Sequence, residues 1–329
     1  MSLNTEATKC KVLAVFKTCG ISGRENVPNY ITSIKNILSQ EFDNFRVAVS
    51  SCKNNKDTQQ ALVSEFGDSI TYNFINEPLP INVTFNHTCQ KATEAFRDID
   101  GYLYIDSGVD FGDQKNILSS LYDLHKSGPY GITAARTDTD SGTFLWFNEG
   151  EKLGDESGQE KLFANSHLTL PTGKAVNAHC QIFSREMFEA FDGRLWADIF
   201  ASECSESVLT FCTASVGQKI IIHKNVIVNH KIAMDGASSG FKPHEQPLPP
   251  WQHLFKSERS MLEIISDPEA LASGFGYEEC QKILMHDDSK YDDSGFCLDP
   301  DRLKKFIKEN IFAPQKLLNY EKIFHKFIK

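Results

Sequence analysis

Short apolar runs alternate with helically spaced apolar residues over the first 135 positions of the chain. The helical spacing is seen, for example, in Ile31, Ile34 and Leu38. The runs that predict buried strands lie at 11–16, 46–49, 70–74, 102–105 and 130–135. This alternation predicts an α/β fold with a mostly parallel central sheet and helices on both of its faces.

The pattern breaks between residues 137 and 175, which are rich in Asp, Gly, Ser and Thr. A long irregular segment in a compact domain is typical of a binding loop or lid, and a plain surface insertion is the alternative. Regular spacing then predicts strands at 180–183, 219–222 and 226–228. It also predicts a helix from Ser184, a plausible N-cap, to Phe191 and another over about 205–215.

Four prolines between residues 243 and 251 predict a domain boundary, because only short helices are indicated beyond them. We therefore expect one domain over 1–242, with halves 1–135 and 136–242, and a helical C-terminal extension over 243–329. Residues 301–329 carry eight Lys or Arg against three acids, interleaved with aromatic residues. These helices would pack on the domain or on a second subunit of a homo-oligomer. The alternative is contact with an anionic membrane surface.

Composition narrows the class of protein. A net charge of −10 argues against general nucleic-acid binding. No apolar window reaches a membrane-spanning length, and the polar N-terminus lacks a signal-peptide pattern, so we expect a cytoplasmic protein, peripheral at the inner membrane surface if the tail binds lipid. The nine cysteines are scattered without a CxxC spacing, which predicts reduced thiols in the core.

The densest candidate chemistry follows the predicted strand at 102–105, in Asp106, Ser107, Gly108 and Asp110. Open α/β sheets usually bind ligands at the carboxyl ends of their strands. Carboxylates bind Mg²⁺ or Mn²⁺, and a glycine lets a ribose or phosphate approach the backbone. This stretch predicts a metal-nucleotide site, and an ordinary turn is the alternative.

Two further stretches offer catalytic groups. Glu203 and Glu206 precede or begin a predicted helix, where a carboxylate is either favoured by the helix dipole or serves as a general base. His230 follows a predicted strand and is either a metal ligand or a structural histidine. His179 lies beside a strand in the same way and is the weaker candidate.

Taken in order, these pieces resemble the family 2 glycosyltransferases over residues 11–240. The resemblance rests on the helix and turn at 30–45, on Asn86, on Tyr104 to Val109, on Phe183 to Phe188, on the acidic stretch 202–206, on 216–220 and on His230. It implies a GT-A fold that binds a nucleotide-diphospho-sugar.

The resemblance also implies roles for individual residues. Asp106 matches the first Asp of the family's Asp-x-Asp motif, which joins ribose, metal and diphosphate. His230 matches a late histidine that completes the metal shell, and Glu206 matches the catalytic base, with Glu203 as the alternative. The residues expected to contact the nucleotide sugar are Thr18, Ser51, Asn86, Asp106, Ser107 and Gly108.

Two positions depart from the family pattern. Gly108 stands where the second Asp is usual, and Asp110 would project to the same side in an extended segment and so replace it as a metal ligand. Ser51 stands where an Asp usually binds uracil, so UDP is the default nucleotide and GDP is open.

The expected function is sugar transfer from a nucleotide-diphosphate sugar to a hydroxyl of a glycan or lipid-linked acceptor, inverting and dependent on Mn²⁺ or Mg²⁺. One alternative is a catalytically decayed nucleotide-sugar-binding or scaffolding protein. The other is a nucleotidyltransferase, although the loop from Cys19 to Arg24 has only two glycines and one Arg for such a role.

Overall fold

The computed structural model describes residues 8–19, 27–52, 56–75, 81–137, 167–170, 176, 179–196, 209, 212–230, 301, 304–305 and 307–308. Several predictions fall outside these ranges. They are the acids Glu203 and Glu206, most of the irregular segment 137–175, and nearly all of the extension 243–329.

Strands and helices alternate as the apolar pattern predicts. The strands are β1 (Thr8–Lys9), β2 (Val12–Cys19), β3 (Phe45–Cys52), β4 (Thr71–Ile75), β5 (Phe96–Arg97), β6 (Gly101–Ile105), β7 (Val109–Asp110), β8 (Tyr130–Thr137), β9 (Leu168–Leu170), β10 (Cys180–Ser184) and β11 (Lys219–His230). The helices are α1 (Val27–Leu38), α2 (Lys56–Phe66), α3 (Ile81–Ala95), α4 (Ile117–Lys126) and α5 (Arg185–Ala190).

One large sheet runs in the order β4-β3-β2-β6-β10-β8-β11-β7, and β9 pairs with β11. The neighbours β4, β3, β2 and β6 are parallel, and so are β8 and β11. Strand β10 lies between β6 and β8 and is antiparallel to both. The prediction of a mostly parallel sheet is therefore confirmed.

Alternate side chains of the central strands enter two separate cores, because successive residues of a strand point to opposite faces. On one face, Phe16 and Ile105 belong to a buried cluster with residues of α1, α2 and α4. On the other face, Phe85 of α3 packs against Tyr104 and Trp196, with ring centroids 5.3 and 5.4 Å away. Helices thus cover both faces, as predicted.

Two boundaries differ from the prediction. The helical spacing of Phe85, Cys89, Ala92 and Phe96 predicts that Phe96 lies in α3, but the helix ends at Ala95, and Phe96 begins β5 and pairs with Thr8. Strand β11 is continuous where two strands were expected, with a register shift between His223 and Ile227. At this bulge the His223 Nδ1 accepts hydrogen bonds from two following backbone amides, which substitute for sheet partners.

Other expectations can be checked on the described residues. Ser184 caps α5, since its Oγ accepts a 3.1 Å hydrogen bond from the Met187 amide. The described cysteines at positions 10, 89, 180 and 212 are buried free thiols. In the C-terminal extension, Ile307 is buried and the Lys308 Nζ lies 3.3 Å from Asp192 Oδ1. No helix in the described part of the chain is long and apolar enough to span a membrane.

Candidate functional site

Asp106 lies at the carboxyl edge of the sheet, directly after the last residue of β6. The Val109 amide donates a 3.0 Å hydrogen bond to the Asp106 carbonyl, which closes a tight turn with Ser107 and Gly108 buried at its corner. Strand β7 then begins and pairs with the end of β11. This turn places the Asp106 carboxylate beside residues of β2 and β11 and beside the residue that directly precedes β10.

Sheet register brings two of these residues to Asp106. Strand β2 is parallel to β6, so Lys17 lies beside Asp106, with its Nζ 3.5 Å from Asp106 Oδ1. Strand β10 is antiparallel to β6, so His179 lies opposite Asp106. The Asp106 amide donates a 2.8 Å hydrogen bond to the His179 carbonyl, which holds the two backbones together.

Strand β11 contributes the third residue. Its last residue, His230, pairs with Val109, and its Nε2 lies 3.1 Å from Asp106 Oδ2. The other carboxylate oxygen accepts a 3.3 Å hydrogen bond from the Tyr104 hydroxyl. The Asp106 side chain is 17% exposed, so its two oxygens are engaged by protein groups in a mostly buried setting.

The charges of these groups favour ligand binding. Burial alone would raise the pKa of Asp106, but the Lys17 ammonium and the His230 hydrogen bond outweigh it and hold that pKa well below its ordinary value. Burial, together with His230, lowers the pKa of His179 to about 3. At neutral pH the site therefore presents an ionised carboxylate and a neutral His179 imidazole, the forms that bind metal ions.

Asp106, His179 and His230 form the candidate metal site. Their ligand atoms all lie within 4.8 Å of one another, and the two imidazole rings stack with centroids 3.9 Å apart. Two ligand atoms about 2.1 Å from one ion are at most about 4.2 Å apart, so only a small closure is needed. Two imidazoles and one carboxylate are a donor set that suits a divalent transition-metal ion.

Asp110 lies outside this group. Its Oδ1 accepts hydrogen bonds from Asn36 Nδ2 at 3.3 Å and from the Gly112 amide at 2.9 Å. The prediction that Asp110 projects to the same side as Asp106 assumed an extended segment. The tight turn at 106–109 breaks that alternation, so Asp110 contacts α1 instead.

The residues expected to contact the nucleotide sugar are only partly brought together. Thr18 is buried at the end of β2, and its Oγ1 has no hydrogen-bond partner among the described residues. Ser51 lies in β3, next along the chain to the buried Ser50. Asn86 is 3% exposed, and its amide hydrogen-bonds to the backbone of Leu195 and Trp196. A nucleotide contact for Asn86 stays a prediction.

Sequence reasoning ranked His179 below His230 and missed Lys17 and Tyr104. The signal for Tyr104 was present, because it is two residues before Asp106 and so projects to the same face. Lys17 belongs to a strand that neighbours β6 and His179 directly precedes another, and only the strand order and register show this.

Comparison with known proteins supports the fold. No protein-family model matches the chain, and no curated protein matches its sequence. Solved structures do match. The mannosyltransferase PcManGT from Pyrobaculum calidifontis, in complex with GDP-Man and Mn²⁺, is 11% identical over 95% of this chain and 88% of its own, with a TM-score of 0.47.

Two further structures have TM-scores above one half. TarS 1–349 from S. aureus is 11% identical over 95% of this chain and 77% of its own, with a TM-score of 0.52. GalNAc-T7 with UDP, GalNAc and Mn²⁺ is 10% identical over 93% of this chain and 58% of its own, with a TM-score of 0.56. These are GT-A-type glycosyltransferases, and this chain has the same GT-A-type fold.

Proposed function

We propose that the chain is a glycosyltransferase that moves a sugar from a nucleoside-diphosphate sugar to a hydroxyl acceptor. The observation that carries this proposal is the group of Asp106, His179 and His230 at the carboxyl edge of the central strands in a GT-A-type sheet. In open α/β sheets this edge is where ligands bind. GalNAc-T7, a structure to which this chain is similar, was solved with UDP, GalNAc and Mn²⁺.

The side chains have separate tasks in this proposal. Asp106, His179 and His230 would hold a divalent ion, which supplies charge that stabilises a departing diphosphate. Tyr104 orients the Asp106 carboxylate through its hydroxyl hydrogen bond. Lys17 adds a positive charge beside the same carboxylate. We propose that the Thr18 hydroxyl, buried near the end of β2, contacts the nucleotide.

The acceptor side rests on residues outside the described ranges. We propose Glu206, with Glu203 as the alternative, as the base that removes a proton from the acceptor hydroxyl. Attack by that oxygen on the anomeric carbon, opposite the departing diphosphate, inverts the anomeric centre. The acceptor would be a glycan or a lipid-linked sugar. Glu206→Gln and Glu203→Gln are compared. The substitution of the acid that acts as the base is expected to abolish sugar transfer and to leave donor binding intact.

A binding experiment tests the donor half of this proposal. UDP and GDP are titrated into the protein, once in the presence of Mn²⁺ and once in the presence of EDTA. The heat of binding is measured by calorimetry, and the melting temperature is measured for each mixture. We expect one nucleotide to bind with Mn²⁺ and to bind at least about tenfold more weakly after Asp106→Asn, because that change removes the only carboxylate in the metal group. Failure of both nucleotides to bind the unmodified protein would exclude this function.

An activity experiment separates a transferase from a decayed binding protein. Donor hydrolysis is measured as release of UDP or GDP from a panel of nucleotide sugars, without an acceptor. Slow release by the unmodified protein, abolished by Asp106→Asn, is expected of a transferase. Nucleotide binding without release or transfer from any donor would instead favour the decayed binding protein.

The C-terminal extension is relevant to whether the protein binds its acceptor at a membrane surface. The burial of Ile307 and the proximity of Lys308 to Asp192 support packing of that part on the domain. We propose that any membrane contact is made by other basic and aromatic residues of 301–329. Binding of the intact chain to vesicles with anionic lipid, lost on deletion of 310–329, would support this, and no binding by the intact chain would exclude it.

A further inference from the structure

Lys17 occupies an unusual place for a cation, since it lies beside the single carboxylate of the candidate metal group. Its Nζ is 3.5 Å from Asp106 Oδ1, and its side chain is only 15% exposed. The same oxygen accepts the Tyr104 hydroxyl, while His230 engages the other oxygen. A divalent ion at this site must therefore share Asp106 with a positive charge that is already in contact with it.

The metal group offers too little negative charge to bind both the divalent ion and the Lys17 ammonium favourably. The residue two positions after Asp106 is Gly108, which has no side chain and supplies no carboxylate. The Asp110 carboxylate is hydrogen-bonded to Asn36 and Gly112. The group thus offers one negative charge to a divalent ion and an ammonium. With both cations present, the Asp106 carboxylate, the Lys17 ammonium and the divalent ion together carry a net charge of about +2, which a bound anion would lower. A diphosphate supplies the missing negative charge.

We propose that Lys17 competes with the divalent ion for Asp106 and that a bound diphosphate relieves the competition by pairing with Lys17. The ion alone then binds weakly, and the ion and the diphosphate each strengthen the binding of the other, as linkage requires. This inference rests on the proposed function, since the diphosphate is that of the sugar nucleotide. It assigns Lys17 as the residue that couples the metal site to its anionic ligand.

The test compares Lys17→Met with Lys17→Arg and with a matched control. Lys11→Met removes the same charge from an aspartate ion pair of similar length, because the Lys11 Nζ lies 3.3 Å from Asp100 Oδ2. Lys11 directly precedes β2, whereas Lys17 lies near its carboxyl end, so the control leaves the metal group untouched. Mn²⁺ affinity is measured on the ligand-free protein by titration calorimetry and by the Mn²⁺ spin-resonance signal. UDP and GDP affinities are then measured at saturating Mn²⁺.

We expect Lys17→Met to bind Mn²⁺ about tenfold or more tightly than the unmodified protein, because a charge of the same sign beside the shared carboxylate weakens cation binding by that order. The same variant should bind the nucleotide about tenfold more weakly. Lys17→Arg should stay close to the unmodified protein in both measurements, and Lys11→Met should change neither. Thermal unfolding of all variants establishes that each is folded.

Two outcomes would overturn the inference. One is an unchanged Mn²⁺ affinity in Lys17→Met. The other is a loss of both Mn²⁺ and nucleotide affinity, which would mean that Lys17 only holds Asp106 in place. If the unmodified protein binds Mn²⁺ but neither nucleotide, the proposed function fails, and the Mn²⁺ affinity of Lys17→Met still decides whether Lys17 competes for Asp106.

Discussion

Asn86 anchors the segment that leads into the predicted catalytic acids, and its removal is the sharpest stability test that the structure offers. Its Nδ2 donates a 2.6 Å hydrogen bond to the Trp196 carbonyl. Its Oδ1 accepts from the amides of Leu195 and Trp196, at 2.9 and 3.1 Å. All three bonds are buried, and residues 197–206, which include Glu203 and Glu206, follow directly along the chain.

The Asn86→Ala substitution leaves two buried N–H groups and one buried carbonyl without these partners. An unsatisfied buried group costs about 1–3 kcal/mol, and partial relaxation or entry of water lowers the sum. We therefore expect a loss of about 3–5 kcal/mol in the free energy of unfolding. Urea denaturation measures it as a lowered midpoint with an unchanged slope.

Gln90→Ala is the matched control, because it removes another side-chain amide of α3 that bonds to the same neighbourhood. Gln90 Nε2 donates a 3.0 Å hydrogen bond to the Gly193 carbonyl, but this contact is exposed to water. Its loss should cost less than about 1 kcal/mol. Equal effects of the two substitutions, or a loss below about 1 kcal/mol for Asn86→Ala, would refute the reasoning that burial makes the Asn86 contacts decisive.

Three other predictions follow from single contacts. His179→Ala should weaken Mn²⁺ binding at least about tenfold in calorimetry, whereas Asp110→Asn should change it less than about twofold, and the reverse order would favour Asp110 as the ligand. Burial lowers the pKa of His125 from 6.5 to about 4, so the unfolded chain binds a proton that the folded chain does not. The contribution of neutral His125 to the free energy of unfolding is complete above about pH 6.5 and falls by roughly 2–3 kcal/mol by pH 4.5. The difference in free energy of unfolding between the unmodified protein and His125→Gln, measured by urea denaturation, should therefore shrink over this pH range. A difference that stays constant with pH would contradict this. Gly101→Ala would place a Cβ 2.6 Å from Ile182 Cγ2, and the overpacking should cost about 1–3 kcal/mol, with an unchanged melting temperature as the contrary result.

Periodicity was sufficient to predict the long elements but not the short ones. The parallel strands β2, β3, β4 and β6 are built on short apolar runs, and their ends agree with the prediction to within three residues. Strands β1, β5, β7 and β9 have only two or three residues, which is too short for a periodic pattern of apolar residues to be recognised. They form because neighbouring segments come alongside them, which is a consequence of the tertiary fold.

The same distinction separates the site residues that could be predicted from those that could not. Asp106 and His230 each end or follow a strand, so the sequence alone marks them. Lys17 and His179 reach Asp106 through strand pairing, and β10 is distant from β6 along the chain. Asp110 shows the opposite case, since two-residue alternation fails where a turn intervenes.

The donor atoms of the candidate metal group also predict which ion the site prefers. Among the described residues, the group offers two imidazole nitrogens, from His179 and His230, and the Asp106 carboxylate. Mg²⁺ prefers oxygen ligands, whereas imidazole suits transition-metal ions. Mn²⁺ and Co²⁺ should therefore bind at least about tenfold more tightly than Mg²⁺, and His179→Ala should narrow that difference because it removes a nitrogen donor. Equal affinity for Mn²⁺ and Mg²⁺, unaffected by His179→Ala, would mean that the two imidazoles do not both bind the ion.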